Sequence, residues 1–181
     1  AELKDMSKQA FSMLNMGKPN KKEDTLAELK ELTSLYKNWI DTTLKTNTSV
    51  EPEKAIEIIR KCEEACRRMN DGIKKLKEDD VAWDAFMFMN QAMYLPRSIT
   101  SYAKASGSGV ICSLKDFMKD DTAFGRKQDH SHWRPFQIAF VLLNLCSITE
   151  EENPERNIVD LLYFPTGGGK TEAYLGLIAL T

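Results

Sequence analysis

The sequence predicts a mainly α protein: a multi-helix N-terminal domain, then the first strand, glycine-rich turn and helix of an incomplete α/β domain. Three observations carry this. Apolar residues recur at helical spacing through about the first 105 positions. Only 9 Gly and 6 Pro punctuate 181 residues, which excludes a turn-rich β-sandwich. The strand-like stretch 158–164, rich in β-branched and aromatic side chains, runs directly into Pro165-Thr166-Gly167-Gly168-Gly169.

The elements follow in order. Residues 2–16 read as a helix with Leu3, Met6, Ala10, Met13 and Leu14 on one face, ended by Gly17-Lys18-Pro19-Asn20. Thr25 with Glu28 three residues on reads as a capping box, and Leu26, Leu29, Leu32, Tyr36, Trp39 and Ile40 continue that second helix. Asn47-Thr48-Ser49 breaks the pattern, and Pro52 suits the first turn of a long third helix. Its apolar stripe is Ala55, Ile59, Cys62, Cys66, Met69, Ile73 and Leu76. Asp79-Asp80 caps a helix over about 81–95. Trp83, Phe86, Met87, Phe88, Met89, Met93 and Tyr94 make it apolar on several sides, which predicts a central position. Pro96 should kink or end it. Residues 106–109 and 120–129 read as loops. Arg134-Pro135-Phe136-Gln137 opens an apolar helix over 138–145, and the acidic loop 150–155 follows. The domain boundary falls near 130: residues 1–130 form a helical accessory domain and 131–181 begin the second.

Composition narrows the function classes. Lys+Arg 25 against Asp+Glu 27 gives a net charge of −2, which excludes a histone-like binder of nucleic acid but not a local basic groove. The longest apolar run, 138–146, is interrupted by Asn144 and is too short to span a bilayer. The N-terminus lacks the charged and apolar regions of a signal peptide; with no initiator Met, the chain is expected to be processed or cut from something longer. Four Cys without CxxC spacing suit reduced thiols in a cytoplasmic protein.

The chemistry lies at the C-terminal end. Strand, glycine turn, Lys-Thr and helix are the context of a phosphate-binding loop. Gly167, Gly168 and Gly169 let backbone N–H groups wrap a phosphate that a side chain would exclude. The helix opening near Gly169 adds its positive dipole end. Lys170 is the candidate catalytic residue, reaching the β- and γ-phosphates of ATP, and the Thr171 hydroxyl is the candidate Mg²⁺ ligand. The general pattern has Gly where this chain has Phe164.

Pro165 to Thr171, PTGGGKT, resembles motif I of superfamily 2 helicases and translocases, where the first position is often not Gly. Arg134-Pro135-Phe136-Gln137 resembles the RPxQ element of the same superfamily, whose Gln reads the adenine edge with amide donor and acceptor. The two stand in the family's order, with Lys170 33 positions after Gln137, a longer gap than compact helicases use. The string from His132 to Gly176, together with AFMFMNQAMYL at 85–95, is similar to the large helicases of the DISARM anti-phage system. The resemblance implies a RecA-like ATPase domain begun here, with Arg134, Gln137, Thr166, Gly167, Gly168, Gly169, Lys170 and Thr171 binding ATP and Mg²⁺. It implies nucleic acid, DNA above all, as partner, and a defence-complex subunit as a further one.

The family's Mg²⁺-holding Asp-Glu pair and arginine finger do not occur before the chain stops eleven residues past Lys170. The resemblance therefore implies an N-terminal piece of a larger motor that does not hydrolyse ATP alone. A strand at 158–164 without parallel neighbours is expected to pair with another copy or to lie on the helices. Two other readings stand: a helical protein- or DNA-docking module with an incidental glycine turn, and another P-loop NTPase such as a restriction-type translocase. Cys62 and Cys66 with His130 and His132 are weighed as zinc ligands and read instead as buried thiols and a polar loop. Asp79, Asp80 and Asp84 read as helix-capping carboxylates rather than an acid–base pair. Arg60, Lys61, Arg67, Arg68, Lys74 and Lys75 read as a solvated face rather than a phosphate-backbone contact.

Overall fold

The computed structural model describes residues 10–45, 52–109, 112–118, 131–163 and 167–181. Seven α-helices lie among them: α1 Met13–Met16, α2 Lys22–Trp39, α3 Pro52–Glu78, α4 Asp80–Gly107, α5 Leu114–Phe117, α6 Pro135–Thr149 and α7 Lys170–Leu180. A π-helical turn, Ile40–Leu44, extends α2, and 3-10 turns occupy Pro19–Lys21 and Pro154–Asn157. The mainly helical class follows the sequence. No β-ladder forms among the described residues beyond a single antiparallel bridge between Ser12 and His132.

The centre of the molecule is α6. Its sequence, PFQIAFVLLNLCSIT, has no charged residue, and none of its positions from Phe136 to Thr149 is exposed. An uncharged helix of this kind is stable only when wrapped on all sides. Met69, Ile73 and Leu76 of α3 meet Ile138, Val141, Leu142 and Leu145 of α6 in one apolar core that also takes in Phe86, Met89 and Trp133. The α3 and α6 backbones come close where Gly72 faces the Leu142 carbonyl; a Cβ at 72 would lie 2.4 Å from that oxygen. Trp133 donates Nε1–H to the buried Asn90 Oδ1 at 2.7 Å, tying the segment before α6 to α4. The Asn90 amide in turn donates to the Phe86 carbonyl, so both buried polar groups are satisfied.

Several expectations need correction. α4 was expected at the centre, but Phe88 is 58% exposed and α6 holds that place; α4 keeps one face to solvent. Pro96 does not end α4, which continues to Gly107 and takes in half of the predicted loop 106–109. Proline removes the N–H that would bond residue 92, and Ala92 and Pro96 are both exposed, so water can satisfy the freed carbonyl. α2 begins at Lys22, so Thr25 is buried inside the helix rather than capping it; Pro19 opens a 3-10 turn that starts the helix early. Glu28 accepts instead from the Phe11 N–H at 3.2 Å, and burial pushes its carboxyl above the usual value. Phe11 takes a left-handed φ of 62° and Ser12 N-caps α1, so no helix precedes Met13 in residues 10–12. The predicted strand is not a strand over 158–163, because the described chain offers no neighbouring strand to complete a ladder. The start of the first helix through residue 9, the break at Asn47-Thr48-Ser49, the loop 120–129, His130 and residues 164–166 lie outside the described residues.

The punctuation by Pro52 and Asp79 is as expected. Asp79 Oδ1 accepts from the N–H groups of Val81 at 2.9 Å and Ala82 at 3.1 Å. Lys75 and these N–H groups hold its carboxyl below the usual value. A depressed folded-state pKa adds stability that is complete above the unfolded value and is lost as pH falls through the folded one. Asp79→Ala is therefore expected to lower the melting temperature at pH 7. The difference from the unaltered chain should shrink as pH falls through the lowered folded-state pKa of Asp79. A gap that persisted in acid, in melts followed by circular dichroism, would refute the charged-cap explanation.

Candidate functional site

The site forms where the N-terminus of α6 meets the turn before α7. Arg134 is extended (φ −72°, ψ 148°), as a residue before proline must be, and Pro135 takes the first helical position. Gln137 then reaches back, its Oε1 accepting from the Arg134 N–H at 2.7 Å. The other end of the same carboxamide crosses to the glycine turn: Gln137 Nε2 donates to the Gly169 carbonyl at 2.8 Å. Arg134 Nη1 donates to the neighbouring Gly168 carbonyl at 2.9 Å. Two tetrapeptide-sized elements more than thirty positions apart are thus joined by two hydrogen bonds.

Glycine is required in the turn. Gly167 and Gly169 take positive φ, 78° and 88°. A Cβ at 169 would sit 2.5 Å from Gln137 Nε2, whereas one at 167 would meet open space. Gly169 is also the N-cap of α7 and has no side chain to offer its first-turn N–H groups. Lys170 is half-buried and Thr171 exposed in that first turn. Glu172 follows: one carboxylate oxygen would lie 3.3 Å from a Cβ at 169, and the other is 4.0 Å from Arg97 of α4. Burial lowers the affinity of Arg97 for its proton. α7 is seated by Gly176, where a Cβ would lie 2.8 Å from Trp133 Cη2, and by Tyr174, edge-on to Phe140 at 5.6 Å.

Of the residues singled out in the sequence, the structure brings Arg134, Gln137, Gly168 and Gly169 together and places Gly167, Lys170 and Thr171 beside them. Thr166 lies outside the described residues. Gln137 is only 4% exposed and is engaged with the loop backbone.

Sequence reasoning passed over the anchor of the chain leading into this turn. Arg68 of α3, read as solvated, is 5% exposed. Its Nη1 and Nη2 donate to the two oxygens of Asp160 at 2.9 and 2.8 Å, and its Nε donates to Glu155 at 2.9 Å. Arg67 also binds Glu155. The available signal was Asp160 itself, a lone carboxylate in the otherwise apolar stretch Ile158-Val159-Asp160-Leu161-Leu162. Side-chain exposure alternates here: Val159, Leu161 and Tyr163 are at least 86% exposed, while Asp160 and Leu162 face the helices. That is the period of an extended chain lying on a surface. Asp160, Leu161 and Leu162 run along a groove of about 560 Å³ lined also by Tyr36, Trp39, Cys62 and Phe136. Cys66 is buried and Cys62 half-buried, and all four cysteines are free thiols. No group of metal-ligating side chains occurs among the described residues.

Fold and site together define a helical module that presents a glycine-rich turn at a helix N-terminus, braced from the start of α6. No family model matches the chain. Its sequence is 33% identical over 177 residues, 97% of its length, to the DISARM protein DrmA of Bacillus paralicheniformis, and it spans 15% of the length of that protein. The chain is thereby homologous to part of a DISARM protein. No helix among the described residues is long and apolar enough to cross a membrane.

Proposed function

We propose that this chain forms part of an ATP-dependent superfamily 2 helicase or translocase acting in anti-phage defence. The observation that carries the reading is the pair of hydrogen bonds from Arg134 and Gln137 to the Gly168 and Gly169 carbonyls. They join the two elements whose order and sequence resemble the family's adenine-reading and phosphate-binding motifs; the likeness to a DISARM protein supports the anti-phage part of the reading alone.

The residues present fit a nucleotide phosphate. Gly167 has open space where a side chain would stand, and the α7 N-terminus offers N–H groups that Gly169 leaves uncapped. Gly167, Gly168, Gly169 and Lys170, with Thr166, would hold the phosphates, and Thr171 the Mg²⁺. Gln137, buried and bonded at both ends of its carboxamide, would have to release the turn to read an adenine edge, with the exposed Arg134 beside it. When bound, Mg·ATP supplies the hydrolysis that drives movement. DNA as the track and a subunit of a defence complex as protein partner belong to the same proposal.

The test is ATP turnover by the full-length protein, with and without single- and double-stranded DNA, beside Lys170→Ala. DNA should stimulate turnover, and the variant should lose about a hundredfold or more, as expected when a charge-stabilising group is removed from a phosphoryl-transfer site. Turnover indifferent to Lys170 would leave a helical docking module with an incidental turn.

A further inference from the structure

The chain leading into the glycine turn is held at two places by two different helices. Upstream, Arg68 of α3 grips Asp160 through both terminal nitrogens and Glu155 through Nε. Downstream, Arg134 and Gln137 of α6 hold the Gly168 and Gly169 carbonyls. The two helices form one body, because α3 lies against the α6 backbone at Gly72, one turn beyond Arg68. Val159, Leu161 and Tyr163 point to solvent, so Asp160 and Leu162 are the residues by which this stretch lies on the helices.

Such a buried fork adds little net stability over an apolar pair of the same size, because desolvation of the charges offsets their attraction. It does fix geometry. A planar guanidinium bound at both nitrogens to one carboxylate sets that carboxylate's position and orientation. Asp160 stands seven positions before Gly167, so fixing it restricts how far from α3 the chain can bring the turn.

We propose that Arg68 is a positioning residue for the phosphate loop, holding Asp160 so that the glycine turn is preformed for its anion. The inference rests on the reading of the loop given above and extends it to the helical domain: α3, far from the glycine motif in sequence, determines nucleotide affinity.

The experiment is calorimetric titration of Mg·ATP into the full-length protein and into Arg68→Met, Asp160→Asn, the double variant, Arg68→Lys and Lys170→Ala. All are measured well below their melting temperatures. Arg68→Met should weaken binding about tenfold, and Asp160→Asn, which changes no volume, by a similar factor. The double variant should be no worse than the poorer single one, because both changes remove the same bond. Arg68→Lys keeps the charge without the fork and should fall between. A purely structural role would lower the melting temperature and leave affinity below it unchanged. Affinities within about twofold of the unaltered protein for both single variants would overturn the inference while the loop reading stood. Equal affinity in the unaltered protein and Lys170→Ala would overturn the loop reading, and the inference with it. Should Arg68→Met fail to fold, Asp160→Asn decides.

Discussion

Gly72→Ala lowers the stability of this fold by about 2 kcal/mol or more, although helix propensity alone predicts a gain of about 1 kcal/mol. Gly72 lies inside α3 and is buried, and its missing side chain is what lets α3 approach α6. An added Cβ would stand 2.4 Å from the Leu142 carbonyl oxygen and 3.2 Å from its carbon. The obstacle is backbone, so no rotamer change relieves it; the helices must separate. Separation loosens Met69, Ile73 and Leu76 from Ile138, Val141 and Leu142 at once, in a core that tolerates little extra volume. Gly107→Ala is the control. It meets nothing within 4 Å at the end of α4 and should be neutral or gain up to about 1 kcal/mol. Urea denaturation of the two variants settles the matter. A Gly72→Ala protein as stable as its parent would mean that the two helices are not in the close contact described.

What the sequence disclosed and what it hid divide along physical lines. The span of α3 and the starts of α4 and α6 were legible because Pro52, Asp79 and Pro135 act on their own backbone neighbours. The glycine turn and the helix after it were legible for the same reason. The course of α4 past Pro96 was not: whether proline breaks a helix depends on whether the freed carbonyl reaches water, which only the packing decides. The rank of α4 and α6 was reversed because both are apolar. The absence of any charge across α6 was the better indicator of which is wrapped.

The site shows the same division more sharply. In the sequence Arg134 and Gln137 read as ligands of a nucleotide. Their observed partners are the backbone of the turn itself. Arg68 was missed because a charged residue among Glu and Lys on a long helix looks the same whether it faces water or a buried carboxylate. The stretch 158–163 has the composition and the alternation of a strand, and its exposure keeps that period. A strand needs partners that local sequence cannot supply, so the segment lies on the helices unpaired.

Gly169→Ala damages the site more than Gly167→Ala, and the difference measures how tightly Gln137 is tied to the turn. Both positions have positive φ, which costs an L-residue about 1–2 kcal/mol. Gly167 incurs only that, since its Cβ would enter open space. At 169 the Cβ would also come within 2.5 Å of Gln137 Nε2. Gln137 cannot simply retreat, because its Oε1 accepts the Arg134 N–H and completes the start of α6. Either the bond to the Gly169 carbonyl or the cap of α6 must give. We expect a total loss of about 3 kcal/mol for Gly169→Ala against about 1 kcal/mol for Gly167→Ala. On the proposed reading Gly169→Ala also abolishes Mg·ATP binding. The mechanism is separable from general strain by adding Gln137→Ala, which removes both the crowded atom and the bond it makes. The two changes should then cost less together than their sum, by about 1 kcal/mol or more. Strict additivity in denaturant titrations, or equal losses at 167 and 169, would show that Gln137 does not brace the turn.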